Sequence, residues 1–207
     1  MWKPILASSL LLGLAACSGT RASQSSQTGK IEPTTQWLKP TPQLQQEMQM
    51  QIERMPWLKG TEESQNMIEW WSALGEAGYA DLLKVAQDPR AKVADLAFAA
   101  LAASRDKRLV PSLRAIPWDA DAPMALQYSR ARCHLRPGDW SHIDVLIAGL
   151  RDEVPYNRAL CARILNTATN NDFGYHYNMP SDEREVAVQR WEAWYKERAP
   201  EALMYKE

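Results

Sequence analysis

Sliding the chain against itself exposes a segment that recurs three times. Leu82 to Asp88, Leu113 to Asp119 and Leu146 to Asp152 each set a leucine six residues before an aspartate, and the segments begin 31 and 33 residues apart. A shift of 64 lays the first segment on the third, and the residues that follow superpose Leu96 on Leu160, Ala97 on Cys161, Ala100 on Ile164 and Leu101 on Leu165. A shift of 31 brings the middle unit under the first, with Val93 on Met124, Ala97 on Tyr128 and Ala100 on Ala131; it fails at Leu96 on Gln127 and Leu101 on Arg132. A repeat of this length describes one supersecondary unit that cannot bury its own apolar stripe. Only stacked neighbours make a continuous core.

Each unit reads as a short helix, a turn carrying Asp and a nearby Pro (Asp88-Pro89, Asp121 to Pro123, Asp152 to Pro155), and a second helix with an apolar stripe. Upstream, Leu44, Met48, Ile52 and Met55 recur at spacings of four and three before Pro56, the pattern of one helix face with a stop. Thr61 to Ser64 predicts an N-cap with an acidic first turn for a helix carrying Met67, Ile68, Trp71 and Leu74 to Gly75. A short helix follows over Tyr79 to Gln87. No segment alternates with period two, so the fold class is all-α.

The unit resembles the HEAT repeat, which pairs two helices around a Leu-x-Asp-Pro turn before a Val-Arg-x-x-Ala-x-x-Ala-Leu helix. Asp88-Pro89 with Val93, Ala97, Ala100 and Leu101 matches that pattern. Arg158 takes the family's arginine position in the third unit, whereas the first unit departs with Ala94. The segment from Leu165 to Tyr175, followed by Arg184 to Trp194, is similar to the closing unit of bacterial HEAT-repeat proteins. The resemblance covers roughly residues 62 to 198. It implies a right-handed α-solenoid of about four helix pairs over residues 61–199, a helix at 43–60 packing on it, and a short tail at 200–207. Such solenoids serve many unrelated roles, so it says little about function.

The first 16 residues combine one basic residue, Lys3, with an apolar stretch too short to span a bilayer and small residues before a cysteine, the pattern of a secretory signal. Leu14-Ala15-Ala16-Cys17 resembles the lipobox of bacterial lipoproteins, which implies cleavage before Cys17 and palmitate-type acylation of that residue. Ser18 at the next position, where inner-membrane retention would favour Asp, implies the periplasmic face of the outer membrane. Residues 17–42 are mostly Ser, Thr, Gln, Gly and Pro and read as a disordered tether spanning about 25 to 30 Å as a flexible coil. Loss of Lys3 with the signal leaves 23 basic residues against 25 acidic ones. That balance offers no footprint for nucleic acid or for an anionic bilayer, so membrane contact is assigned to the lipid alone.

Cys133 and Cys161 are the other cysteines. They could pair in an oxidising compartment or serve as buried small side chains. The repeat register sets Cys161 on Tyr128, more than a turn from Cys133. A disulfide needs a Cα separation of about 4.4 to 6.8 Å, which helices packed about 8 to 10 Å apart with that offset rarely allow.

No catalytic constellation emerges. Asp172-Phe173-Gly174 imitates a kinase metal-binding motif without the glycine-rich loop, strand lysine or catalytic loop that would give it meaning. His134, His142 and His176 have no second histidine or cysteine at metal-ligand spacing on one helix face. The chain is therefore read as a non-enzyme without cofactor or metal. Two sharper candidates remain. Arg130, Arg132 and Arg136 crowd the middle repeat's second helix where its siblings are apolar, and guanidinium groups there suit a partner's carboxylate or phosphate; the ordinary alternative is a snorkelling Arg132 whose stem covers apolar surface. Phe173, Tyr175 and Tyr177 in the loop from Asn170 to Pro180 either pack on the core or form an aromatic contact patch. Trp70, Trp71, Trp191 and Trp194 read as core and end-cap packing.

The expectation is a lipid-anchored envelope lipoprotein whose helical surface binds or scaffolds another envelope protein. Two alternatives stay open: a small-ligand binder or enzyme using a groove near the arginines, and a transient assembly factor.

Overall fold

The computed structural model describes residues 36–198, all within one compact unit. The signal, Cys17, most of the tether and the tail at 200–207 lie outside the described residues. Among the described residues the protein is all-helical, without strands: α1 (Pro42–Arg54), α2 (Thr61–Leu74), α3 (Glu76–Val85), α4 (Ala91–Ser104), α5 (Val110–Ala115), α6 (Met124–Leu135), α7 (Ile143–Ala148), α8 (Pro155–Thr169) and α9 (Ser181–Arg198). No helix among them is long and apolar enough to cross a membrane.

Local chemistry sets the start of α1, whereas no side-chain hydrogen bond caps α2. Thr41 caps α1, its hydroxyl accepting from the Leu44 N–H at 3.3 Å, and Pro42 occupies the first turn, where its missing N–H costs nothing. The helix runs into a single 3-10 turn, Met55–Trp57, at Pro56. At α2 the expected cap moves by one residue: Gly60 is the N-cap and Thr61 is already helical. Glu63 in the first turn reaches back to accept the Lys59 N–H, one residue before the cap, at 2.9 Å.

The three sequence units fall on α3 with α4, α5 with α6 and α7 with α8. Their second helices pack in succession, α4 on α6 and α6 on α8, while α2 lies against α4 and α9 against α7. The aspartate of each unit explains the turn. Asp88, Asp119 and Asp152 accept backbone N–H groups two residues on, from Arg90, Asp121 and Val154, at 2.8, 3.0 and 2.7 Å. A second series, Asp106, Asp139 and Asp172, does the same for Arg108, Ser141 and Gly174 in the turns that leave α4, α6 and α8. Its members stand 33 residues apart. Aspartate favours such turns because its short side chain supplies the acceptor that the backbone lacks outside a helix.

The interior forms two apolar clusters. One gathers Met48, Trp71, Leu82, Leu96, Leu101 and Leu113; the other gathers Tyr128, Leu146, Leu150, Leu165, Val188 and Trp191. Every buried position of α4 is apolar and five of the nine are alanine, which lets α2, α3 and α6 approach it together. In α6 the equivalent of Ala97 is Tyr128, and its bulk is accommodated by Gly149, where an added Cβ would lie 2.7 Å from Tyr128 Cε1 and 2.5 Å from Cys161 Sγ. Cys133 and Cys161 are both free and buried. Burial pushes each thiol up to about 12, so both behave as inert hydrophobes. The tryptophans follow their expected roles: Trp71 and Trp191 are fully buried, with Trp70 and Trp194 edge-on against them.

Candidate functional site

The three arginines of α6 do not act together. Arg130 is buried and turns toward the preceding loop, donating from Nη1 to the Pro117 carbonyl at 2.6 Å and from Nη2 to the Ile116 carbonyl. Its guanidinium also lies over the Trp118 ring at 4.6 Å. Burial holds its pKa below the usual arginine value. These contacts make Arg130 a strut that fixes the loop before α6. Arg158 does the same work in α8, bonding the carbonyls of Asp152, Glu153 and Tyr177 at 2.8 to 3.1 Å.

Arg132 and Arg136 lie one turn apart on another face of α6, and the fold brings two more arginines to them. Burial lowers the pKa of Arg136, and repulsion from Arg105, Arg132 and Arg163 lowers it further. Arg105 is the C-cap of α4, Arg136 the C-cap of α6, and Arg163 an exposed residue of α8. Among the described residues no carboxylate pairs with any of the four in an ion pair. By contrast Arg90, Arg108 and Arg151 all sit on aspartate or glutamate at 2.6 to 3.0 Å. Arg132 makes only a long contact to Ser129 Oγ, 3.4 Å, and its buried Nε has no hydrogen-bond partner among the described residues.

Local helix chemistry accounts for part of this. A cation at a helix C-terminus meets the negative end of the helix dipole, which suits Arg105 and Arg136. It does not account for Arg132, which takes the position of Leu101 in the first unit and Leu165 in the third, both buried. Replacing a core leucine by an unpaired guanidinium costs stability, and such local violations concentrate where a surface has work to do. Guanidinium groups of Arg105, Arg132 and Arg163 within electrostatic reach of Arg136 create a positive field that bidentate contacts to carboxylate or phosphate would neutralise.

The aromatic loop divides as well. Tyr175 is buried and donates its hydroxyl to the Leu150 carbonyl at 2.6 Å. Phe173 is partly buried, edge-on to Trp191 with ring centroids 4.8 Å apart, in a turn where Asp172 caps Gly174. Tyr177 is half-buried and stacks on His176 at 4.9 Å. Next to it, Arg163, Asn166, His176, Tyr177 and Trp191 help to line a pocket of about 250 Å³. A second cleft, about 400 Å³, lies on the far side of α6 among Phe98, Asp119, Leu126 and Arg130. Its only buried cation, Arg130, already spends both terminal nitrogens on carbonyls.

The loop from Pro137 to Ile143 folds back over α6 and builds a buried polar network. Asp139 accepts from His134 Nδ1 at 2.8 Å and from Arg114 at 2.9 and 3.1 Å. Burial alone would raise the Asp139 carboxyl, but the His134 and Arg114 hydrogen bonds overcome it and hold it well below the carboxylate range. His142 stacks on Trp118 at 4.1 Å and meets the His134 ring edge-on at 4.7 Å. Burial, and then the neighbouring His134, push His142 down to about 4. The two histidines, eight residues apart, share no helix face. Only the returning loop joins them. Among the described residues no three His, Cys, Asp or Glu side chains converge to hold a metal.

Sequence inspection missed Arg105 and Arg163. The signal for Arg105 was available: the shift of 31 that relates the first two units carries it onto Arg136. Arg163 gave none, because its repeat equivalent is the buried Arg130, and its approach to Arg136 depends on how α8 packs on α6. No family model, no curated protein and no solved structure matches this chain.

Proposed function

We infer that the chain is a bacterial envelope lipoprotein, acylated at Cys17, whose HEAT-like α-solenoid of about four helix pairs binds an acidic segment of another envelope protein. The observation that carries the binding surface is the patch of Arg105, Arg132, Arg136 and Arg163, none of them ion-paired to a carboxylate among the described residues. A partner offering carboxylates would neutralise repulsion that the free protein has to tolerate. That makes association favourable and strongly dependent on salt. The succession of α4, α6 and α8 supports the solenoid reading.

The test is site-specific photocrosslinking in cells from an exposed position bordering the patch, such as Thr167, one turn from Arg163 on α8, with the wild type compared against an Arg132→Glu, Arg136→Glu double variant. One dominant adduct lost in the double variant, with crosslinks mapping to an acidic stretch of the partner, is the expected result. An adduct that survives charge reversal, or no adduct in the wild type, overturns it.

A further inference from the structure

The arginine patch and the aromatic loop meet at Arg163. It lies close enough to Arg136 to depress its pKa, and it also forms part of the wall of the 250 Å³ pocket between α8 and the loop. The pocket is smaller than the roughly 300 to 1,000 Å³ of drug-sized ligand sites, and it suits one inserted side chain. Its walls are the flank of α8 at Ala162 and Asn166 and the aromatic rings of Tyr177 and His176. Asp172 on the same wall disfavours a carboxylate inside.

The pocket is also held rigidly. Arg158 clamps the Tyr177 carbonyl at 3.1 Å, Arg190 the Phe173 carbonyl at 3.2 Å, and Arg184 the Met179 carbonyl at 2.5 Å. Three arginines therefore spend donors on fixing one loop. A loop ordered before binding lowers the entropy cost of receiving a ligand.

We propose that this pocket is the specificity subsite of the arginine patch: it takes one uncharged aromatic or large aliphatic side chain from a peptide segment whose neighbouring carboxylates rest on Arg163, Arg136 and Arg132. The proposal rests on the reading that the patch binds a protein. It adds that acidity alone does not define the partner; an apolar anchor must stand beside the acidic residues. Charge supplies encounter and register, and the buried anchor supplies most of the discrimination.

Selection of a phage-displayed random dodecapeptide library on the immobilised full-length chain tests this. The expected pool is enriched in acidic peptides with one aromatic or large aliphatic residue at constant spacing from them. Asn166→Trp, an exposed substitution that fills the pocket from α8, should weaken the best such peptide at least about tenfold while leaving a purely acidic peptide unchanged. His176→Ala, which removes an exposed wall, provides a second variant, and helical circular dichroism checks that each is folded. Acidic peptides without an apolar preference, or a preference that neither variant alters, overturn the subsite and leave the arginine reading standing. A pool without acidic enrichment overturns both.

Discussion

Tyr128 and Gly149 share one space: the ring of the first occupies the volume where a β-carbon of the second would stand, 2.7 Å from Cε1. The register explains why. Tyr128 replaces the Ala97 of the preceding unit, and Gly149 replaces the Val85 of the first, so a large residue on α6 is offset by the smallest one beside α7. Gly149→Ala should therefore destabilise the domain by about 1 to 3 kcal/mol, as overpacking does. Urea unfolding should report a lowered midpoint, and a Tyr128→Leu background should recover part of the loss.

Arg130 is expected to matter for stability and not for binding. Arg130→Met removes both donors from the carbonyls of Ile116 and Pro117 and should cost about 2 to 4 kcal/mol. Calorimetry should show a lower Tm, while crosslinking to the partner at a temperature where the variant is folded should match wild type.

Arg136 should behave in the opposite way. Because Arg105, Arg132 and Arg163 repel it, Arg136→Gln should stabilise the isolated domain by a few tenths to about 1 kcal/mol at low salt and weaken partner binding. The gain should shrink in 0.5 M salt, where exposed charges are screened. Unfolding measured at two ionic strengths decides it: a loss of stability at low salt would mean that Arg136 is held by favourable contacts.

His142 predicts the acid response. Its folded pKa of about 4 lies below its ordinary value of 6.5. The unfolded chain therefore binds the extra proton first, and stability falls as pH drops from about 6.5 to about 4. For a partly buried ring the loss is on the order of 1 to 2 kcal/mol after discounting for solvent. Asp139 acts in the same direction below the ordinary Asp range, because its depressed carboxyl must be protonated when the chain unfolds. His142→Phe, which keeps a ring on Trp118, should flatten the denaturation midpoint between pH 6.5 and 4 and leave the lower limb intact.

Cys17 is tested apart from all of this. Metabolic labelling with a clickable palmitate should mark the wild type and leave Cys17→Ala unlabelled and released from membranes. Equal labelling of both chains would refute the anchor.

Much of this protein is legible in its sequence because much of it is local. Apolar spacing, proline stops and turn-forming aspartates act within a few residues of themselves, so α1 to α9 and the units at Asp88, Asp119 and Asp152 can be read from one chain. Comparison of the units also singles out Arg132, since a charged residue in a leucine position is visible without coordinates. What tertiary structure alone decided is which arginine faces which neighbour. Arg130 and Arg132 are two residues apart, and on a helix that separation turns one toward the Ile116 and Pro117 carbonyls and the other to the face that carries Arg136. The meeting of Arg136 with Arg163, and of His134 with His142, depends on the packing of α8 on α6 and the return of the Pro137 to Ile143 loop. Spacing along a chain carries direction within a helix, but the distance between helices is set by the volumes between them, as Tyr128 and Gly149 demonstrate.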